Sequence, residues 1–252
     1  MIKSELYKTA HRPYVYILMG ITCLLILFVV ILTHLINPGF SIDNRVCYEE
    51  IVSILLTVLP IGVYFAVTFT DAVFSEEYKY QTMKNSLSFG MSRNSYYLGK
   101  LFTQMIVAII CMLAVFLVAL GSAWIFLGTR DGITAAQITQ LILTRMLLAL
   151  PLWIGALCIS NFLAFFIKSS TVYGIIYVLL FALGAPIINL LGKTVTPVFT
   201  QIHQWLIMPQ FDVLNEASIN TTQIIHCVVI GLGHGVIATL LGMGLFQKRE
   251  IK

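Results

Sequence analysis

The sequence has 252 residues, of which 59% are hydrophobic and only 10% charged, and its mean hydropathy is +0.93. A water-soluble domain carries about a quarter charged residues, so this chain has too little polar surface to cover a globule in water, and its main solvent must be lipid. The net charge of +4 excludes little, because in a membrane protein the placement of charge is more informative than its sum.

The chain opens with Lys3, Lys8 and Arg12 ahead of an apolar run. Ile2 and Leu6, four apart, give a thin apolar helix face, and the three cations suit anionic headgroups. A plain positively charged anchor fits the same residues equally well. The run that follows is long enough to span a bilayer and has no small-residue cleavage site after it, so it reads as a retained helix rather than a signal peptide.

A bilayer core takes about 20 apolar residues per helix, and six segments qualify: 14–36, 51–73, 99–127, 141–167, 171–191 and 223–246. Only Lys168-Ser169-Ser170 separates the fourth from the fifth. One helix through both would overshoot the membrane, so a tight turn is expected there. Pro60, Pro151 and Pro186 are expected to break three of the spans, as membranes allow where neighbours satisfy the freed carbonyls. In the last span Gly231-x3-Gly235 is a close-packing motif, expected to act within the chain. Four of the five cysteines fall in spans, and none has metal-ligand spacing.

Placing the N-terminus inside puts eleven basic residues on the cytoplasmic side: Lys3, Lys8, Arg12, Lys79, Lys84, Arg93, Lys100, Lys168, Lys248, Arg249 and Lys252. Only Arg45, Arg130, Arg145 and Lys193 are then outside. The positive-inside rule selects this orientation, with both termini cytoplasmic. The outer loop 192–222 is the longest. Phe199, Ile202 and Leu206 follow a helical period beside the interfacial Trp205, so either a re-entrant helix or an ordered loop fits.

The longest strongly charged stretch is 74–100, on the cytoplasmic side between the second and third spans. Tyr80, Met83, Leu87 and Met91 fall on one side of a helix, Gly90 is a natural C-cap, and Ser92 can cap the next helix. The segment 75–93 therefore reads as a short amphipathic surface helix followed by a sharp re-entry. On periodicity alone, a simple connector fits as well as a docking element.

The residues Glu77, Thr82, Lys84, Asn85, Leu87, Ser88, Gly90, Ser92 and Arg93, ending in Gly99 and Lys100, resemble the signature of permease subunits of type-2 ABC transporters. The bacterial branch with bacitracin-resistance, lantibiotic self-protection and peptide-exporter permeases is the most similar. The resemblance implies an all-α membrane protein of six transmembrane helices, with a cytoplasmic amphipathic coupling helix between the second and third spans. It also implies that this helix docks on a separate ATPase subunit. Glu76, Glu77, Thr82, Lys84, Asn85 and Arg93 become the docking or coupling positions, and Met1–Arg12 resembles the family's amphipathic leading helix. The implied partners are an ABC ATPase, a second permease subunit (a copy or a relative), the bilayer and a peptide cargo, with no nucleic acid. ATP and Mg would sit on the ATPase, leaving no cofactor in this chain. Gly192-Lys193-Thr194 is no P-loop, because Ile187 stands where the motif needs glycine. The chain is therefore read as a transport subunit in a bacterial cell membrane and not as an enzyme.

Polar residues inside spans are costly in lipid. Asp71, near the inner end of the second span, and Arg145, near the outer end of the fourth, are candidates for the pathway or its gate. Interfacial roles are the simpler alternative for both. Asn161 is expected to bond neighbouring helices, and His226 and His234 to pack. An ion-coupled secondary transporter would want carboxylates at mid-membrane, and none lies at the centre of any predicted span. A membrane immunity or sensor protein that binds peptide without pumping it is the remaining alternative.

Overall fold

The computed structural model describes residues 2–37, 46–80, 83, 87–88, 90–127, 134–167, 169–216 and 219–248, with the backbone alone described at 75–80 and 135. These residues form helices and no strand. In chain order they are α1 (Ile2–Ala10), α2 (Pro13–Ile36), α3 (Tyr48–Thr57), α4 (Ile61–Tyr80), α5 (Arg93–Phe126), α6 (Ala135–Phe166), α7 (Ser170–Thr194), α8 (Pro197–Gln204), α9 (Ile207–Leu214) and α10 (Thr221–Lys248). Five of them, α2, α5, α6, α7 and α10, are long and apolar enough to cross a membrane. The pair α3 and α4 becomes a sixth span if taken together. The protein is an all-α membrane protein, and α2, α5, α7 and α10 expose many apolar side chains, as a surface turned to lipid requires.

The second span is bent rather than straight. α3 and α4 meet at 63°, and three local causes converge there. Pro60 has no N–H to continue the ladder. The next amides bond one residue short, Ile61 to Val58 at 2.9 Å, Gly62 to Leu59 at 3.1 Å and Val63 to Pro60 at 3.1 Å. The Trp153 indole of α6 then lies against Gly62, where a Cβ would stand 2.5 Å from Nε1, and donates to the Leu59 carbonyl at 3.2 Å. Proline starts the break, and a neighbouring helix holds it open.

The other two prolines correct the expectation made for them. Pro151 and Pro186 lie inside the continuous helices α6 and α7. A spanning helix can carry a proline without ending.

α6 is the central column. Its face of Ile142, Ala149, Leu152 and Ala156 is fully buried, in one cluster with Val63 and Ala66 of α4 and with Cys227 and Ile230 of α10. α6 and α10 touch backbone to backbone. A Cβ on Gly231 would come within 2.3 Å of the Pro151 backbone, and one on Gly155 within 2.4 Å of the Gly231 carbonyl oxygen. Gly235 completes the contact against Gly155 and Cys158. The glycine motif of the last span is thus consumed inside the chain.

Between α7 and α10, the loop 192–222 is largely helical. α7 itself runs on to Thr194, and α8 and α9 follow as two short helices. α8 buries no residue, whereas α9 sends Ile207, Phe211 and Leu214 into the main core. The Gln210 amide donates to Gln204 O at 2.6 Å, which ties the two short helices together. It is α9, rather than the segment around Trp205, that covers this end of the bundle.

Candidate coupling and gate region

The opposite end of the bundle gathers α1, the last turns of α4, the first turns of α5 and the C-terminus of α10. A second buried cluster sits there: Val73 and Phe74 of α4, Tyr96 and Tyr97 of α5, Ala164 and Phe165 of α6, Tyr173 of α7 and Phe246 of α10. Phe165 is its centre. It stacks on Tyr97 at 4.5 Å and meets Phe74 and Phe246, each at 4.8 Å. Met83, Leu87 and Met91 pack against this cluster, so the apolar face expected for the amphipathic segment turns towards the base of the bundle.

The re-entry is built by local chemistry legible in the sequence. Gly90 adopts φ +87°, a conformation L side chains rarely take, and its amide bonds Leu87 O at 3.1 Å. Ser92 then caps α5, its Oγ accepting the Ser95 amide at 3.2 Å. Arg93, the first residue of α5, reaches across to the end of α10. It donates to Phe246 O at 2.9 Å and Gln247 O at 2.6 Å, with its guanidinium 6.0 Å from the Phe246 ring centroid. A cation on the last carbonyls of a helix satisfies orphan acceptors and the negative end of the helix dipole together. Gln247 returns a bond to Asn94 at 2.9 Å.

Of the other residues picked from the sequence, Glu76 and Glu77 lie in the continuing helix α4, where the backbone alone is described. Thr82, Lys84 and Asn85 lie outside the described residues. Asp71 is one turn before Phe74 on α4 and accepts a hydrogen bond from the Ser170 hydroxyl at the start of α7. It sits on an open groove of about 490 Å³ between α4 and α7, whose walls are otherwise mainly apolar: Val67, Gly174, Ile175, Val178 and Leu179. Arg145 is remote from all of this. It is buried at the other end, where its Nη2 donates to Glu216 O at 2.7 Å, just past α9. It therefore ties α6 to the chain just past the covering helix.

Two features go beyond the sequence reading, which expected only that Asn161 would bond neighbouring helices. One is a polar seam through the bundle: Thr70 donates to Gln104 at 3.2 Å, and Gln104 donates to Asn161 at 2.8 Å, all three fully buried. It links α4, α5 and α6, with Tyr97 close by and pressed on Gly242, where a Cβ would come within 2.2 Å of the hydroxyl. The other is the seat of α1. The residues that helix buries are Glu5 and Thr9, with Arg12 buried just beyond its end, while Ile2 and Tyr7 are exposed. The polar stripe 5, 9, 12 has helical spacing, and it was the signal available in the sequence. Glu5 receives a hydrogen bond and ion pair from Lys100 of α5, whose side chain has no solvent exposure, and a second from Lys8 at 2.9 Å. Burial pushes the Glu5 carboxyl up, but Lys100 and Lys8 together overcome this and hold it below the usual carboxylate range.

A family model described as ABC-2 family transporter protein matches residues 1–185. The match takes in α1, the bent second span, the re-entry at Gly90 and most of α7. A comparison with curated proteins returns no match. With most of its length covered, including the α1, α4 and α5 parts of this base region, the chain belongs to the ABC-2 family of transporter proteins, as a membrane permease component.

Proposed function

We propose that this permease is the membrane half of an ATP-driven exporter, paired with a second permease subunit above two separate ATPase chains, and that it moves amphipathic, antimicrobial-type peptides out of a bacterial cell. The observation that carries the reading is the base of the bundle. Between α4 and α5, the Gly90–Ser92 re-entry and the packing of Met83, Leu87 and Met91 on the Phe165 cluster tie the described residues to the bundle. A displacement applied there by a nucleotide-driven partner is delivered to α4, α5, α6 and α10 at once, which is what rocking a bundle between inward- and outward-facing states requires. The groove at Asp71 supports an amphipathic cargo, since it sets one carboxylate at the edge of apolar walls. The 11-to-4 division of basic residues supports placing this end in the cytoplasm.

Reconstitution in proteoliposomes tests the reading. The chain alone should show no ATP hydrolysis; with its ATPase, hydrolysis should drive peptide accumulation on the far side. Glu77→Ala and Arg93→Ala should each lower assembly or transport per ATP at least tenfold. Full transport in both variants would remove the coupling assignment. Binding of peptide with no ATP-dependent movement would instead make the chain a sensor or immunity protein.

A further inference from the structure

The buried lysine at the base of α5 has more partners than a structural staple needs. The Lys100 ammonium is fully enclosed, donates to the Glu5 carboxylate of α1 and to the Val73 carbonyl of α4 at 3.3 Å, and lies 5.7 Å and 5.5 Å from the ring centroids of Phe74 and Tyr96. Two oxygens and two aromatic faces therefore hold one charge. The two oxygens come from different helices, and α4 continues without a break from Val73 to Tyr80. Away from water a charge strongly resists separation from its partners, so α1 and the end of α4 are bound to the same point on α5.

We propose that Glu5 and Lys100 form a positioning pair that makes α1, the last turns of α4 and the first turns of α5 move as one body when the α4–α5 segment is displaced, an inference that rests on the transport function proposed above. The pair touches neither cargo nor nucleotide. It sets how much of the displacement reaches the spans, α2 included, since only His11 and Arg12 separate α2 from the end of α1. Without it α1 can swing free while α4 moves, and part of each ATPase stroke is dissipated.

The test has one arm on the chain alone and one on the full complex. In nanodiscs, hydrogen exchange is compared for the unmodified chain, Glu5→Gln, and the reversed pair Glu5→Lys with Lys100→Glu. Glu5→Gln should speed exchange at least tenfold in 2–10 and also in 71–80, the helix whose Val73 carbonyl accepts from the Lys100 ammonium; the reversed pair should recover much of the protection in both. Faster exchange in 2–10 with 71–80 unchanged would overturn the proposal, because a local anchor behaves that way. In proteoliposomes with the ATPase, Glu5→Gln should assemble and hydrolyse ATP but transport at least fivefold less cargo per ATP, and an unchanged ratio would again overturn it. Should Glu5→Gln fail to accumulate, Glu5→Asp keeps the charge, shortens its reach and is read by the same two measurements. If the unmodified complex moves no cargo, the transport reading falls, while the exchange arm still decides whether the pair joins the helices.

Discussion

At the scale of single residues, the environment of Glu5 gives two cations on one carboxylate very different weights. Lys100 is enclosed, whereas Lys8 is half exposed. An exposed pair is worth about 0.2–1 kcal/mol, so Lys8→Ala should leave the seating of α1 nearly intact. Removing one partner of a buried pair costs about 3–5 kcal/mol, because the other charge is stranded, so Lys100→Met should release the helix. Limited proteolysis within residues 2–12 distinguishes the two. The pH dependence has a definite sign. Because the folded carboxyl sits below the usual range, its contribution is complete above the pKa of the unfolded chain and is lost as pH falls through the lower, folded value. The α1 amides should therefore stay protected through mildly acidic solution and lose protection only below the ordinary carboxylate range. Loss of protection near neutrality would mean that some other group controls the seat.

At the scale of elements, glycine and proline act through what stands beside them. In α10, Gly231 faces the Pro151 backbone while Gly233 has nothing within 4 Å of where a Cβ would be. Gly231→Val should force α6 and α10 apart at a cost of about 3 kcal/mol or more. Gly233→Ala should be neutral or stabilise by about 0.5–1 kcal/mol, since alanine is the better helix former. Thermal unfolding in detergent checks both, and a matched loss in the two variants would show that the close packing is not where the structure places it. The prolines show why sequence reading stops where it does. All three sit in apolar runs and look alike in one dimension. What separates Pro60 is Trp153, an indole 93 positions later that fills the space beside Gly62 and bonds the Leu59 carbonyl. The Gly90–Ser92 re-entry was legible because its causes are contained in a few consecutive residues. The Glu5–Lys100 pair, 95 positions apart, was not, and neither was Gln104 bridging Thr70 and Asn161.

At the scale of the whole molecule, hydropathy was enough to find five helices long and apolar enough to cross a membrane, because lipid demands such helices whatever their neighbours are, but not the 63° bend that divides the sixth segment into α3 and α4. The order of the helices then brings α1, the start of α5 and the end of α10 to one end of the bundle, through Glu5–Lys100 and Arg93 on Phe246 and Gln247. The first and last described helices thus meet at the same end of the bundle, and the distribution of basic residues predicts that this end is cytoplasmic. Cys47 provides a test in the native chain. It precedes α3 at the opposite end, partly exposed, with its amide held by Glu50 at 2.8 Å, while Cys158 and Cys227 are buried and Cys23 and Cys111 lie within α2 and α5. A membrane-impermeant maleimide added to intact cells should label the chain at Cys47, and Cys47→Ser should remove the label. Inside-out vesicles should stay unlabelled until they are opened with detergent. If the vesicles label and the intact cells do not, the molecule is inverted, and the Phe165 cluster and the segment it anchors face away from any cytosolic ATPase. The orientation therefore decides whether the base of the bundle can receive a stroke at all.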